Sequence, residues 1–322
     1  MKTRPFSAGE KKRLFDGQSV SPLLPYDSFD GDPAMLDAIR EGNGRLSISG
    51  AQEKYALVVD RGWLRLTRRE ECGRYILKPV PTDRRFLHKE DMPANEYLTM
   101  RIAQEIFHLE VAAHGLCFFG NGQAAYLTRR FDYRPDGGKY PVEDLASLAD
   151  LNRNNAGENY KYDRLSYEDC ADLIRTFSST PKVDLLKFFR LVTFNYLFSN
   201  GDAHLKNFSL IGYGPKDFRL APAYDLLNTD LHLPGAIFAL EKGLFREGTP
   251  IRDTTPIGRP LLLEFGRRIG LPEKVIVKDL DGFAAHRPDL ERLVLDSTLS
   301  EPARTLYLKD YNYRRSTLEQ TQ

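Results

Sequence analysis

Asp202 and Asn207 stand five residues apart in the stretch Asn200-Gly201-Asp202-Ala203-His204-Leu205-Lys206-Asn207-Phe208, and a second carboxylate, Asp225, follows in Ala223-Tyr224-Asp225. A carboxylate in a polar loop can take the proton of a hydroxyl nucleophile. Aspartate and asparagine oxygens are hard ligands of the kind magnesium prefers. Together they suit phosphoryl transfer from a nucleoside triphosphate, whose negative charges a metal must neutralise. Either acid alone reads as a turn cap or a solvated side chain; the joint pattern points to transfer.

Two further features bear on the same chemistry. Lys78 ends the apolar run Arg74-Tyr75-Ile76-Leu77-Lys78, and Glu96 lies one turn into the helix expected next. A strand lysine paired with a helix glutamate can hold the α- and β-phosphates, although a lysine at an edge strand can equally reach out to water. The Asp202–Asn207 spacing is that of the H-R-D-x-x-x-x-N loop of protein kinases, and Asp225 follows a β pair as the kinase D-F-G aspartate does. Ser47-Ile48-Ser49-Gly50-Ala51-Gln52-Glu53-Lys54 precedes the first strong strand. Such a small, polar turn can offer backbone N–H groups to phosphate, or be an ordinary strand entry.

The elements that must position these groups are legible in outline. The first forty-odd residues are rich in Pro, Gly and Asp and read as an irregular arm with one short helix over Pro33 to Arg40. Tyr55 to Asp60, Trp63 to Thr67 and Gly73 to Pro79 read as strands. A helix opens near Pro93, with Leu98, Ile102, Ile106 and Leu109 at helical spacing. Leu116 to Phe119 and Ala124 to Arg130 complete a ββ(β)αββ pattern, and Tyr133 to Pro141 reads as a linker. Beyond it the chain turns helical. Ser166-Tyr167-Glu168-Asp169 is a capping box for a helix reaching Ser178, and Val183 to Asn200 is apolar nearly all round, as a buried spine would be. Phe208 to Ile211 and Phe218 to Leu220 are short strands, and Gly258 to Arg315 reads as three more helices. The expected fold class is α+β and two-lobed: residues 1–132 form a small β-rich N-terminal lobe, and residues 133–322 a larger helical lobe, with the ligand cleft between them.

Composition narrows the function classes. The chain has 322 residues, with 46 Lys+Arg against 45 Asp+Glu and a net charge of +1, so bulk charge does not make it a nucleic-acid binder, although a local basic patch stays open. Aromatic residues at 11 % exclude whole-chain disorder. Cys72, Cys117 and Cys170 lie about fifty residues apart, which supports neither a disulfide framework nor a four-cysteine zinc site and fits a reducing compartment. No signal peptide or membrane-spanning run is evident, so the expectation is a cytoplasmic chain without membrane contact. The sequence has no G-x-x-x-x-G-K-[ST], H-E-x-x-H or G-x-S-x-G motif, and no histidine cluster at metal spacing.

Six segments in order resemble the HipA-like serine/threonine kinases of bacterial toxin–antitoxin systems. Ser49-Gly50-Ala51-Gln52-Glu53-Lys54 is similar to their phosphate loop, Tyr75 to Pro79 to the strand lysine, and Asn95-Glu96-Tyr97 to the helix start. Arg129-Arg130-Phe131-Asp132 resembles their R-F-D hinge, Asp202 to Phe208 the D-x-H-x-K-N-F loop, and Ala223-Tyr224-Asp225 the P-x-Y-D segment. The match runs from Ser47 to about Thr229, and the phosphate loop comes so early that the family's extra N-terminal subdomain is expected to be absent, as in its short members.

The resemblance implies a fold akin to protein and phosphoinositide kinases, with ATP and Mg2+ as ligands. It implies Asp202 as proton acceptor, Asn207 and Asp225 as metal ligands and Lys78, paired with Glu96, on the phosphates. It places Arg129, Arg130 and Phe131 near the adenine, with Ser49, Gly50, Ala51, Gln52, Glu53, Lys54, His204, Lys206 and Tyr224 also lining the nucleotide. Ser47 and Ser49 occupy the place where family members phosphorylate themselves; two added negative charges beside a triphosphate site would repel ATP. The implied partners are a protein substrate, for which an aminoacyl-tRNA synthetase is the family precedent, and a HipB-like helix-turn-helix antitoxin. The alternatives are a phosphoinositide or small-molecule kinase on the same fold, and a nucleotide-binding regulatory module acting through an antitoxin.

Overall fold

The computed structural model describes residues 4–28, 52–68, 71–250 and 257–319. The expected helix over Pro33 to Arg40, and Ser47, Ser49, Gly50 and Ala51, lie outside the described residues. Among the described residues no helix is long and apolar enough to cross a membrane.

The chain opens with helix α1 (Ala8–Phe15), which the sequence reading missed. Its signature is nonetheless present. The Ser7 hydroxyl accepts from the Glu10 amide, and the Glu10 carboxylate accepts from the Ser7 amide, a reciprocal cap. Strands β1 (Tyr55–Asp60), β2 (Trp63–Leu66) and β3 (Tyr75–Lys78) follow, then helix α2 (Met92–Glu105) and strands β4 (His114–Phe118) and β5 (Ala124–Arg129). These strands make one antiparallel sheet in the order β2-β1-β3-β5-β4. Helix α2 stops at Glu105, short of the expected Leu109, because the chain turns at His108, whose φ of 53° is left-handed.

The second half begins with strand β6 (Val142–Asp144) and three single-turn helices, α3 (Leu145–Leu148), α4 (Arg153–Ala156) and α5 (Tyr160–Asp163), none of which the periodicity announced. Helix α6 (Tyr167–Phe177) starts on the expected Ser166 cap, and helix α7 (Pro181–Leu197) is the expected buried spine. Phe188, Phe189 and Phe194 of α7 are fully buried, each contributing roughly 2 kcal/mol of apolar transfer. Strands β7 (Ser209–Gly214) and β8 (Asp217–Leu220) join β6 in a three-stranded sheet ordered β6-β7-β8. The tail holds four helices rather than three: α8 (Arg259–Arg268), α9 (Glu273–Ala284), α10 (Pro288–Leu295) and α11 (Glu301–Ser316). Pro260, Pro272, Pro288 and Pro302 each stand at or beside a helix start, where a missing N–H costs nothing.

The architecture is thus the expected two-lobed α+β arrangement, with one qualification about packing. Helix α2 follows the small sheet in sequence, yet Leu98, Met100, Ile102 and Ala103 belong to the large core shared with α6, α7 and the tail. Polar ties reinforce this: Asp91 accepts from the Ser300 amide and hydroxyl at 2.6 Å each, and Thr99 and Tyr307 share a 2.8 Å hydrogen bond. Helix α2 is therefore fixed between the lobes.

Two buried histidines give a stability prediction. Burial pushes the imidazoles of His114 and His232 down from 6.5 to about 4, and each directs Nδ1 at a backbone carbonyl, of Ala112 and Leu87, 2.9 Å away. Both stay neutral in the fold, whereas the unfolded chain takes up their protons below about pH 6.5. Stability is therefore expected to fall as pH drops from 6.5 toward 4, by up to about 2 kcal/mol per histidine at pH 5. Urea unfolding at pH 7 and pH 5 checks this: His232→Gln should flatten the slope relative to the parent, and an unchanged slope would contradict it.

Candidate active site

The site forms where the end of β3, a point one turn into α2 and the two loops after α7 and β8 meet. Lys78 closes β3 and is only 4 % exposed, while Glu96 on α2 is fully buried. The Lys78 ammonium lies 2.6 Å from Glu96 Oε1 and 2.5 Å from Asp225 Oδ1, and 5.4 Å from the ring centre of Tyr126, its neighbour on β5. The other oxygen of Asp225 accepts from Asn207 Nδ2 at 3.2 Å and faces the Lys54 ammonium at 3.8 Å. Five residues separated by up to 171 positions in sequence thus share one centre.

Local hydrogen bonds hold the loops. The Asn207 side-chain oxygen accepts from the His204 amide, closing the turn that carries Asn207. Asn200 accepts from the Asp202 amide and donates to the Asp225 carbonyl at 3.3 Å, so one amide ties both loops. The Gly201 amide donates to Thr229 Oγ, and a side chain at Gly201 would strike the Ala236 carbonyl. Asp225 itself has a φ of 55°, a conformation costing roughly 1–3 kcal/mol in a non-glycine residue, which these ties hold in place.

The electrostatics follow from burial and two cations. Burial alone would raise the Asp225 carboxyl, but Lys78 and Lys54 hold it well below the usual carboxylate range. Burial would lower the Lys78 ammonium, but Asp225 and Glu96 raise it instead. Glu96 is pushed up to about 7 by burial, against the pull of Lys78. Lys78 and Asp225 are therefore the firmly charged pair, and Glu96 is the partner most readily neutralised. His204 is 2 % exposed and, through burial and the nearby Lys161, lies well below an ordinary histidine, so it is a neutral ring.

The remaining sequence candidates divide. Tyr224 donates to the Lys206 carbonyl at 2.8 Å, accepts from Ser209 Oγ at 2.6 Å, and lies 5.6 Å from the Phe131 ring, so Phe131, Tyr224 and the Lys206 backbone border the same loop. Gln52 donates to the Pro79 carbonyl beside Lys78. Glu53 instead accepts from the Thr82 amide and hydroxyl. Arg129 turns the other way: its guanidinium meets Asp16 at 2.7 Å and the Leu14 carbonyl at 3.2 Å, bracing α1. Arg130 is taken up by Asp132 in a two-point ion pair. Of the three residues that the resemblance places near the adenine, Arg129 and Arg130 thus have their guanidiniums engaged by Asp16 and Asp132.

Sequence reasoning missed the supports of the site. Asn95 donates to the Asn228 carbonyl at 2.7 Å, accepts from the Asn228 amide, and meets His232 Nε2 at 2.8 Å. It fastens α2 to the chain three residues beyond Asp225. Its position beside Glu96 was the available signal. Tyr162 on α5 donates to Asp202 Oδ1 at 2.8 Å, and nothing local in the sequence marked it.

Comparison with known proteins places this arrangement. Residues 46–278 match the HipA-like C-terminal domain. A putative kinase of Haemophilus influenzae is 28 % identical over 333 residues, spanning 97 % of this chain and 92 % of that protein. The serine/threonine-protein kinase toxin HipA of Shewanella oneidensis is 26 % identical over 274 residues, spanning 80 % of this chain and 59 % of the toxin. The solved structure of Shewanella oneidensis HipA with HipB and its operator DNA superposes with a TM-score of 0.68 at 20 % identity, over 98 % of this chain and 72 % of that one, a likeness of fold.

Proposed function

Given that this chain belongs to the family of the HipA-like C-terminal domain, we propose that it is an ATP- and magnesium-dependent serine/threonine protein kinase. The observation that carries the proposal is the Lys78–Asp225 contact, with Glu96 and Asn207 completing it, because it joins a phosphate-binding cation to a metal-binding carboxylate. The donor set fits magnesium. It offers a carboxylate and an amide oxygen, with no sulfur or imidazole. Among the described residues no group of three or more His, Cys, Asp or Glu gathers as a protein-only metal cage would, which agrees with an ion that takes further oxygens from phosphates and water.

In this reading Asp225 and Asn207 would hold the ion, which would supply neutralisation of the phosphate charge. Lys78, kept cationic and aimed by Glu96, and Lys54 attract the phosphate oxygens. Asp202 accepts the proton of the acceptor serine hydroxyl. The new O–P bond forms at the γ-phosphorus as its bond to the β–γ bridging oxygen breaks, and ADP leaves with that electron pair. Neutral His204 packs behind the loop rather than serving as a phosphate cation.

The acceptor is a protein serine, with an aminoacyl-tRNA synthetase as the first candidate, and the chain's own Ser47 or Ser49 as internal acceptors. A HipB-like antitoxin is the proposed partner, supported by the HipB-bound complex of the structural relative. Label from γ-labelled ATP in a cell extract tests the substrate class. Protein-bound phosphoserine that vanishes when a chelator removes magnesium is the expected result. Label confined to lipid or metabolites would instead establish the phosphoinositide or small-molecule reading.

A further inference from the structure

Tyr162 is 2 % exposed on the single-turn helix α5, forty residues before the loop it touches. Its hydroxyl donates to Asp202 Oδ1 at 2.8 Å, and its ring stands edge-on to His204 with centroids 5.1 Å apart. The Lys161 ammonium lies 5.2 Å from the ring centre, and the Tyr162 carbonyl accepts from the Glu241 amide at 2.9 Å. A buried tyrosine needs some acceptor for its O–H, and a backbone carbonyl would serve. Five residues on, Tyr167 does just that, donating to the Ala203 carbonyl at 2.8 Å. Tyr162 spends its proton on a carboxylate instead.

We propose that Tyr162 is a positioning residue for phosphoryl transfer, fixing the rotamer of Asp202 so that the carboxylate faces the incoming hydroxyl. The proposal rests on the kinase reading of Asp202. The physical case has two parts. The Asp202 amide is held by Asn200, which sets the backbone, and the Tyr162 hydroxyl acts on the side chain itself. A hydrogen bond from a neutral donor to a charged oxygen is stronger than one between neutral groups, and it is directional enough to select one orientation. The ring is itself fixed by His204 and by the Glu241 amide on its backbone, so the hydroxyl is a rigid donor. A misplaced base lowers the rate of transfer without weakening ATP binding, which falls to the centre built of Lys78, Lys54, Asn207 and Asp225.

Tyr162→Phe removes only the hydroxyl and keeps the ring on His204. The expected result is a kcat about tenfold lower with the KM for ATP within about twofold. A cycle with Asp202→Asn separates positioning from packing: in that background the same hydroxyl should change the residual rate by less than about twofold. Equal losses in both backgrounds, a parent-like kcat, or a rise in KM alone would overturn the proposal, whatever the variant's melting temperature. A second readout does not depend on activity. The 13Cζ signal of labelled Tyr162, assigned by its disappearance in Tyr162→Phe, should move on Asp202→Asn, and an unmoved signal would overturn the contact. A parent that transfers no phosphate would sink the kinase reading, while this signal would still decide whether Tyr162 holds Asp202.

Discussion

Asp202→Ala is expected to slow phosphoryl transfer by about a hundred- to ten-thousand-fold while leaving the fold intact. The size follows from the role. A positioned carboxylate receives the hydroxyl proton as the O–P bond forms, and without it the proton must go to water. Binding of ATP should be nearly unchanged, because Lys78, Lys54, Asn207 and Asp225 make up the phosphate and metal centre. The loss should therefore appear in kcat and not in the KM for ATP. Asp202→Asn should behave alike, since an amide keeps the shape but cannot take the proton. A variant within a few-fold of the parent would remove Asp202 from the chemistry.

Lys78→Met is expected to cost about 3–5 kcal/mol of stability as well as activity. Glu96 is fully buried, and its Oε2 finds no hydrogen-bond partner among the described residues, so loss of the ammonium strands a charge in the interior. The pH dependence has a definite sign. Burial already pushes the Glu96 carboxyl up to about 7, and without Lys78 it rises further. A carboxyl raised in the fold is protonated more readily there than in the unfolded chain, so its contribution is present at low pH and lost as pH rises through the folded value. Lys78→Met should accordingly be less stable at pH 8 than at pH 6, relative to the parent. Adding Glu96→Gln removes the stranded charge and should recover much of the stability, but none of the activity. Denaturant unfolding of the two variants at both pH values checks this. A double variant no more stable than Lys78→Met would contradict it.

What could be read from the sequence was local. Asp202 and Asn207 share one loop, Lys78 ends a short apolar strand, and Glu96 lies in the first turns of a helix opened by Pro93, so spacing alone suggested their roles. The fold followed from the same kind of signal, alternation in the strands and an apolar spine in α7. What spacing could not supply was orientation. Tyr126 stands opposite Lys78 on the paired strands, and Arg129 lies three residues further along β5, which turns its side chain to the opposite face and toward α1. No motif carries that parity. Tyr162 failed for another reason: a four-residue helix has no periodicity to read, and its contact with Asp202 spans forty positions. Asn95 reads as an ordinary helix residue until His232 and Asn228 close around it.

The central claim is that the Asp202 centre moves the γ-phosphoryl group of ATP. The most direct test starts from phosphate-free protein, parent beside Asp202→Ala, incubated with Mg-ATP and examined by intact mass and peptide analysis. The account predicts phosphoserine at Ser47 or Ser49 in the parent and none in the variant. No phosphate in either, or equal phosphate in both, would contradict it.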